Sequence, residues 1–205
     1  MRFITQTTLF LFLVLLIGAN ESAVARSPNA SPFMATTGKT TQPIGHHDFC
    51  MRHASECKAN AKGGQRVKLT PEAWNMLVEV NDTVNAMIKP ETDQDLFGKA
   101  EVWAYPTEAG DCEDFALLKR RMLAERGWPI GGLLITVVRQ SSGDGHAVLT
   151  VLTDRGDLVL DNLEGEINLW NGTPYRFLKR QSTANAGEWV SIDDGRAAVV
   201  GSLRK

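Results

Sequence analysis

The sequence predicts an α+β fold in which a helix packs on an antiparallel β-sheet, and three observations carry that reading. Trp74, Leu77, Val78, Val84, Met87 and Ile88 recur at helical spacing behind Thr70-Pro71. Phe115, Leu118 and Met122 form a second apolar stripe, joined by Ala116 and Leu123. Beyond Pro129 the period changes to two, in LLITVVR (Leu133–Arg139), HAVLTVL (His146–Leu152) and DLVLDNL (Asp157–Leu163).

Taken in order, the chain opens with Arg2, an apolar run over Leu9–Ile17 and an Ala23-Val24-Ala25 cleavage pattern. This predicts a secretory signal peptide over residues 1–25, cut before Arg26, because the run is shorter than the roughly 20 residues a membrane span needs. Residues 26–45, rich in Ser, Thr, Pro, Gly and Asn, read as a flexible linker, and residues 46–205 as the functional domain. Residues 46–66 look loop-rich.

Thr70 is an N-cap ahead of Pro71, so a helix is expected from Pro71 to Ile88, closed before Pro90. Residues 91–110 read as irregular, anchored by Trp103 and Tyr105. Asp111 is the expected N-cap of the second helix, with Asp114 in capping-box position and Gly127 and Pro129 as the stop. TDRGD between the second and third strands predicts a hairpin. Tyr175–Lys179 and Glu188–Ile192 are candidates for further short strands.

The formal net charge is −2, with no basic stripe, which argues against a nucleic-acid partner. No later segment reads as membrane-spanning. Export implies an oxidising compartment, where three cysteines suggest one pair and one free thiol. Cys50 and Cys57 are the natural pair, leaving Cys112 alone. A zinc site using His46, His47 or His53 with those cysteines is the rival reading, although the spacing matches no standard finger.

Cys112 stands in AGDCED, among Asp111, Glu113 and Asp114. Negative charge opposes thiolate formation, whereas the first position of a helix favours it through the dipole and free N–H groups. Cys112 is thus either a nucleophile or a small buried hydrophobe. Two more residues bear on the choice. His146 opens a strand and Asp161 closes the next, in the order a cysteine nucleophile, its base and the orienter of that base require. Taken singly, His146 also reads as a strand-edge histidine and Asp161 as a turn residue. A two-residue turn at Asp154–Arg155 puts the two on one face of the hairpin as diagonal neighbours, while a three-residue loop puts them on opposite faces unless a bulge restores the phase. The sequence leaves both open.

GDCEDFALLK, GHAVLTV and LVLDN, with the upstream VNDTVNAMI and EVWAYPTEAGDCED, resemble the bacterial transglutaminase-like cysteine proteinases, relatives of the periplasmic LapG-type proteases that release adhesins from the cell surface. The resemblance covers roughly residues 46–192. It implies a papain-like/transglutaminase-like fold with Cys112 as nucleophile, His146 as base and Asp161 as orienter, acting through a thioester. It also implies Ca²⁺ beside the nucleophile, held by Asp111 and Glu113 together with Asp114, whose hard oxygens suit that ion. A bound dication would cancel the acids' repulsion of the thiolate; the alternative is that they only cap the helix. The expectation is an exported, calcium-dependent cysteine peptidase, periplasmic or secreted, acting on a protein or peptide substrate such as a cell-surface protein. The residues name neither that substrate nor a membrane receptor partner. Transamidation, in which an amine resolves the thioester, and a non-catalytic periplasmic calcium-binding regulatory module are the competing functions.

Overall fold

The computed structural model describes residues 31–60 and 62–196, so the expected signal peptide lies outside the described residues. The order of elements is β1 (Ala35–Thr40), α1 (Ile44–Arg52), α2 (Pro71–Met87), β2 (Lys89–Pro90), α3 (Asp93–Phe97), β3 (Ala109–Gly110), α4 (Cys112–Glu125), β4 (Leu133–Arg139), β5 (Gly145–Thr153), β6 (Gly156–Leu160), β7 (Asn168–Leu169), β8 (Arg176–Gln181) and β9 (Trp189–Asp193). Seven strands form one antiparallel sheet in the order β1-β9-β8-β4-β5-β6-β7. The expected α+β class is what the chain adopts.

Period-two patterning gives the sheet two buried faces. Leu133, Ile135, Leu149, Val151, Leu158 and Leu160 share a core with Leu77, Val80 and Val84 of α2 and Phe115 and Leu123 of α4. Val138, Val148 and Val159 build a second core with Met34, Trp170 and Phe177. α2 begins as expected, with the Thr70 hydroxyl accepting from the Ala73 amide at 3.2 Å.

Two expectations need correction. Residues 35–40 are not linker: they form β1 and pair with β9. The strand is an edge held by backbone hydrogen bonds, and five of its six residues are exposed, so it carries no apolar alternation to read. Nor is the segment 46–66 loop throughout, since it contains most of α1 and a 3₁₀ turn over Ala54–Cys57. The zinc alternative also falls, because Cys50 and Cys57 are joined in a disulfide and offer no thiolates.

His46 is instead a core residue, 1 % exposed, in edge contact with Trp103 and Trp189. Its ring nitrogens lie 3.0 Å from Gln181 Nε2 and 3.1 Å from Trp189 Nε1. Burial, then the charge of Arg120, lowers its pKa from 6.5 to about 4. The unfolded chain therefore binds a proton that the fold refuses in that window, so stability falls as pH drops from about 6.5 towards 4. The loss attributable to this one group is roughly 3 kcal/mol at the acid end. Urea melts of wild type and His46→Gln between pH 7 and 4.5 should show a shallower acid decline in the variant; equal declines would remove this explanation.

Candidate active site

The chain enters α4 through a two-strand bridge, with Lys89 paired to Ala109 and Pro90 to Gly110. Gly110 is required by close approach: a Cβ there would lie 2.7 Å from Asp114 Oδ2 and 2.8 Å from Asp114 Cβ. The expected capping box does not form as drawn. Asp111 precedes the helix in extended backbone but its side chain makes no cap hydrogen bond. The Asp114 carboxylate instead accepts from the Ala104 amide at 2.7 Å.

Cys112 is the first residue of α4, half-buried, and the single free cysteine. Its sulfur donates to Glu113 Oε2 at 3.2 Å and accepts from the Ala147 amide at 3.3 Å. The thiol thus meets β5 at the residue that follows His146. Burial first, then the charges of Glu113 and Asp111, push the thiol pKa well above its ordinary value, against the Ala147 N–H.

The hairpin question is settled by register. Thr153 pairs with Gly156 across a two-residue turn, and Thr150 with Val159, so the paired numbers have an odd sum. Gly156 takes φ 136, and a Cβ there would lie 2.5 Å from Leu169 Cδ2. This register puts His146 and Asp161 on one face as diagonal neighbours. His146 Nε2 lies 2.8 Å from Asp161 Oδ1, with both side chains 2 % exposed.

Asp161 is fixed further by the Leu163 amide at 3.0 Å and by the Tyr175 hydroxyl, which donates to Oδ2 at 2.5 Å. Burial would raise the Asp161 pKa, but its bonds to His146, Tyr175 and Leu163 outweigh that and hold the carboxyl below its usual range. Tyr175 is a site residue that sequence reasoning missed. It was visible as the start of a candidate strand, but nothing local to it pointed at Asp161.

The acids fall into two groups sharing Asp111. In one, ligand atoms of Asp93, Asp111 and Asp114 lie within 4.8 Å of one another, and in the other those of Asp111, Cys112 and Glu113 do. Asp93, on α3, was absent from the sequence reading because it lies in a segment without pattern. Asp93 Oδ1 and Asp111 Oδ1 are buried with no hydrogen-bond partner. Burial is the largest cause that raises Asp111, Glu113 and Asp114; the charge of Asp111 raises Glu113 further, a hydrogen bond from Glu113 lowers Asp111 while the charges of Asp93 and Glu101 raise it, and Asp114 reaches about 7. Clustered hard oxygens, two of them orphaned, fit a calcium ion.

A free thiol at a helix mouth, beside a hairpin that carries a bonded His–Asp pair, is the kind of site a cysteine protease needs. The chain belongs to the bacterial transglutaminase-like cysteine proteinases, whose family model (BTLCP) matches residues 36–197. No curated protein matches it. Among solved structures it is similar to Legionella pneumophila LapG, at 29 % identity over 60 % of this chain and 69 % of that one, with a TM-score of 0.49. LapG from the same organism after EGTA treatment gives 30 % identity over the same shares, also with a TM-score of 0.49. The calcium-bound form gives 26 % over 66 % of this chain and 77 % of that one, with a TM-score of 0.51. Among the described residues no helix is long and apolar enough to cross a membrane.

Proposed function

We propose that the chain is an exported cysteine peptidase in which Cys112 is the nucleophile, His146 the general base and Asp161 the orienter, with calcium beside the thiol. The observation that carries this is the 2.8 Å bond between His146 Nε2 and Asp161, which leaves Nδ1 as the ring nitrogen to take the sulfur's proton. The thiolate then attacks the scissile carbonyl, and the protonated imidazole hands its proton to the departing amine, leaving a thioester. Water, deprotonated by the neutral imidazole, resolves the thioester to acid and free thiol. Tyr175 keeps Asp161 turned to the ring throughout.

Asp93, Asp111 and Asp114 would hold the calcium, with Glu113 as the fourth carboxylate within reach. Bound there, the ion supplies positive charge that offsets the carboxylates now opposing the thiolate. Export is supported by the signal pattern at residues 1–25 and by the Cys50–Cys57 disulfide, and places the enzyme in the periplasm or outside the cell. Residues 46–205, preceded by the β1 segment, make up the catalytic domain in this reading.

Cys112 is the single free thiol, so alkylation tests the assignment directly. With calcium present, one equivalent of iodoacetamide should label Cys112 and extinguish hydrolysis of a generic protein substrate in step. A fully alkylated chain that still cleaves would overturn the reading. Repeating the reaction with a primary amine acceptor should give hydrolysed rather than amidated products.

A further inference from the structure

A polar cavity of about 190 Å³ lies between the 3₁₀ turn over Ala54–Cys57, α4 and the loop that joins β8 to β9. A single water needs roughly 10–15 Å³, so this space admits a small organic molecule. Its position separates it from the thiol. Arg120, which lines it, stands on α4 roughly 12 Å along the helix axis from Cys112. Arg120 Nε donates to the Leu133 carbonyl at 3.1 Å, at the start of β4, whereas His146 pairs with Val138 near the end of that strand. The walls of the cavity are tied together. The Cys50–Cys57 disulfide pins the turn, the Asn60 amide donates to the Ala184 carbonyl at 2.7 Å, and the Ala186 amide donates to the Lys58 carbonyl at 3.4 Å. Gly131 is required where these segments meet, because a Cβ there would overlap Asn60 Nδ2.

The charges around this space are unequal. Arg120 is 2 % exposed, and its Nη1 lies 3.3 Å from Glu56 Oε2. A guanidinium stays charged at any working pH and presents a planar fork that matches a carboxylate. Lys58 adds an exposed ammonium. Glu56 is the one acid in the lining, so the cavity carries one net positive charge. Ser182 Oγ accepts from the Ala184 amide at 3.2 Å, which leaves its hydroxyl proton free to donate. Ile130 and Leu134 supply an apolar part of the lining.

We propose that this cavity binds the carboxylate of a small aliphatic acid, its charge held by Arg120 and Lys58 and its hydrocarbon stem by Ile130 and Leu134. One net positive charge matches a monoanion better than a doubly charged phosphate, and the apolar lining suits a short stem. Glu56 opposes the anion and so sets its affinity. The site lies away from Cys112 and does not rest on the peptidase reading.

The test titrates the mature chain with butyrate, with butyramide as its uncharged counterpart, and with inorganic phosphate, each at constant ionic strength. The backbone amides of Ser182 and Ala186 are followed by NMR. Butyrate should shift both saturably, and butyramide should leave them in place. Lys58→Glu should weaken butyrate by about tenfold, and Glu56→Gln should tighten it by a similar factor, because one adds and the other removes negative charge beside the carboxylate. Hydrolysis should stay at the wild-type rate in both variants. The proposal is overturned by the absence of a saturable butyrate shift, by equal shifts from butyramide, or by tighter binding of phosphate than of butyrate. Weaker binding in both variants, or unchanged binding in both, overturns it as well. Should Glu56→Gln not fold, the exposed Lys58→Glu decides the point alone. The amide shifts need no turnover, so they stand or fall separately from the peptidase reading.

Discussion

Cys112→Ala should lower peptide hydrolysis by about four orders of magnitude or more while leaving the fold in place. The side chain removed is small and half-buried, and its two hydrogen bonds, to Glu113 and from Ala147, are sulfur contacts at 3.2 and 3.3 Å. Little packing is lost, so the thermal midpoint should stay within a few degrees of wild type. His146→Ala should cost a similar factor, and the double variant should be no worse than either single one, because residues acting as a unit lose their function together. Additive losses would mean that Cys112 and His146 serve separate steps. Hydrolysis by Cys112→Ala at even a tenth of the wild-type rate would place the nucleophile elsewhere.

Calcium is expected to stabilise the folded chain as well as to activate it. A ligand present at 100 times its Kd and bound only by the native state contributes about 2.7 kcal/mol. In a chain of this length each kcal/mol is worth roughly 2–4 °C, so saturating calcium should raise the midpoint by roughly 5–10 °C and EGTA should reverse it. Asp111 belongs to both acid groups, and Asp111→Asn should abolish the shift and most of the activity. Asp93→Asn should weaken calcium binding, and its effect isolates the residue that only the tertiary structure identifies. The same midpoint in calcium and in EGTA would reduce the acids to helix-end charges.

The acids around Cys112 thus acquire a physical account. They oppose ionisation of the thiol, as burial does. Two of the nearby carboxylate oxygens are buried and unpartnered, a state that a hard cation relieves. In the calcium reading proposed above, such coupling would keep the thiol protonated until the ion is bound.

Local patterning determined much of this protein. The apolar stripes behind Thr70-Pro71 and after Asp111 define α2 and α4, and period-two runs define β4, β5 and β6, because burial on one side imposes its own spacing. The order Cys112, His146 and Asp161 was legible from the residue types and from their resemblance to a known family, with His146 on β5 and Asp161 just after β6. What spacing could not decide was whether the turn at Asp154–Arg155 held two residues or three, and thus on which face the two side chains lie. Contacts made across long stretches of chain were beyond it altogether. Tyr175 reaches Asp161, Asp93 joins Asp111 and Asp114, and β1 pairs with β9 at the far end of the chain. Each depends on where the sheet and helices bring distant segments together. An exposed edge strand, a buried hydroxyl and an acid in an unpatterned segment leave no period in the sequence to read.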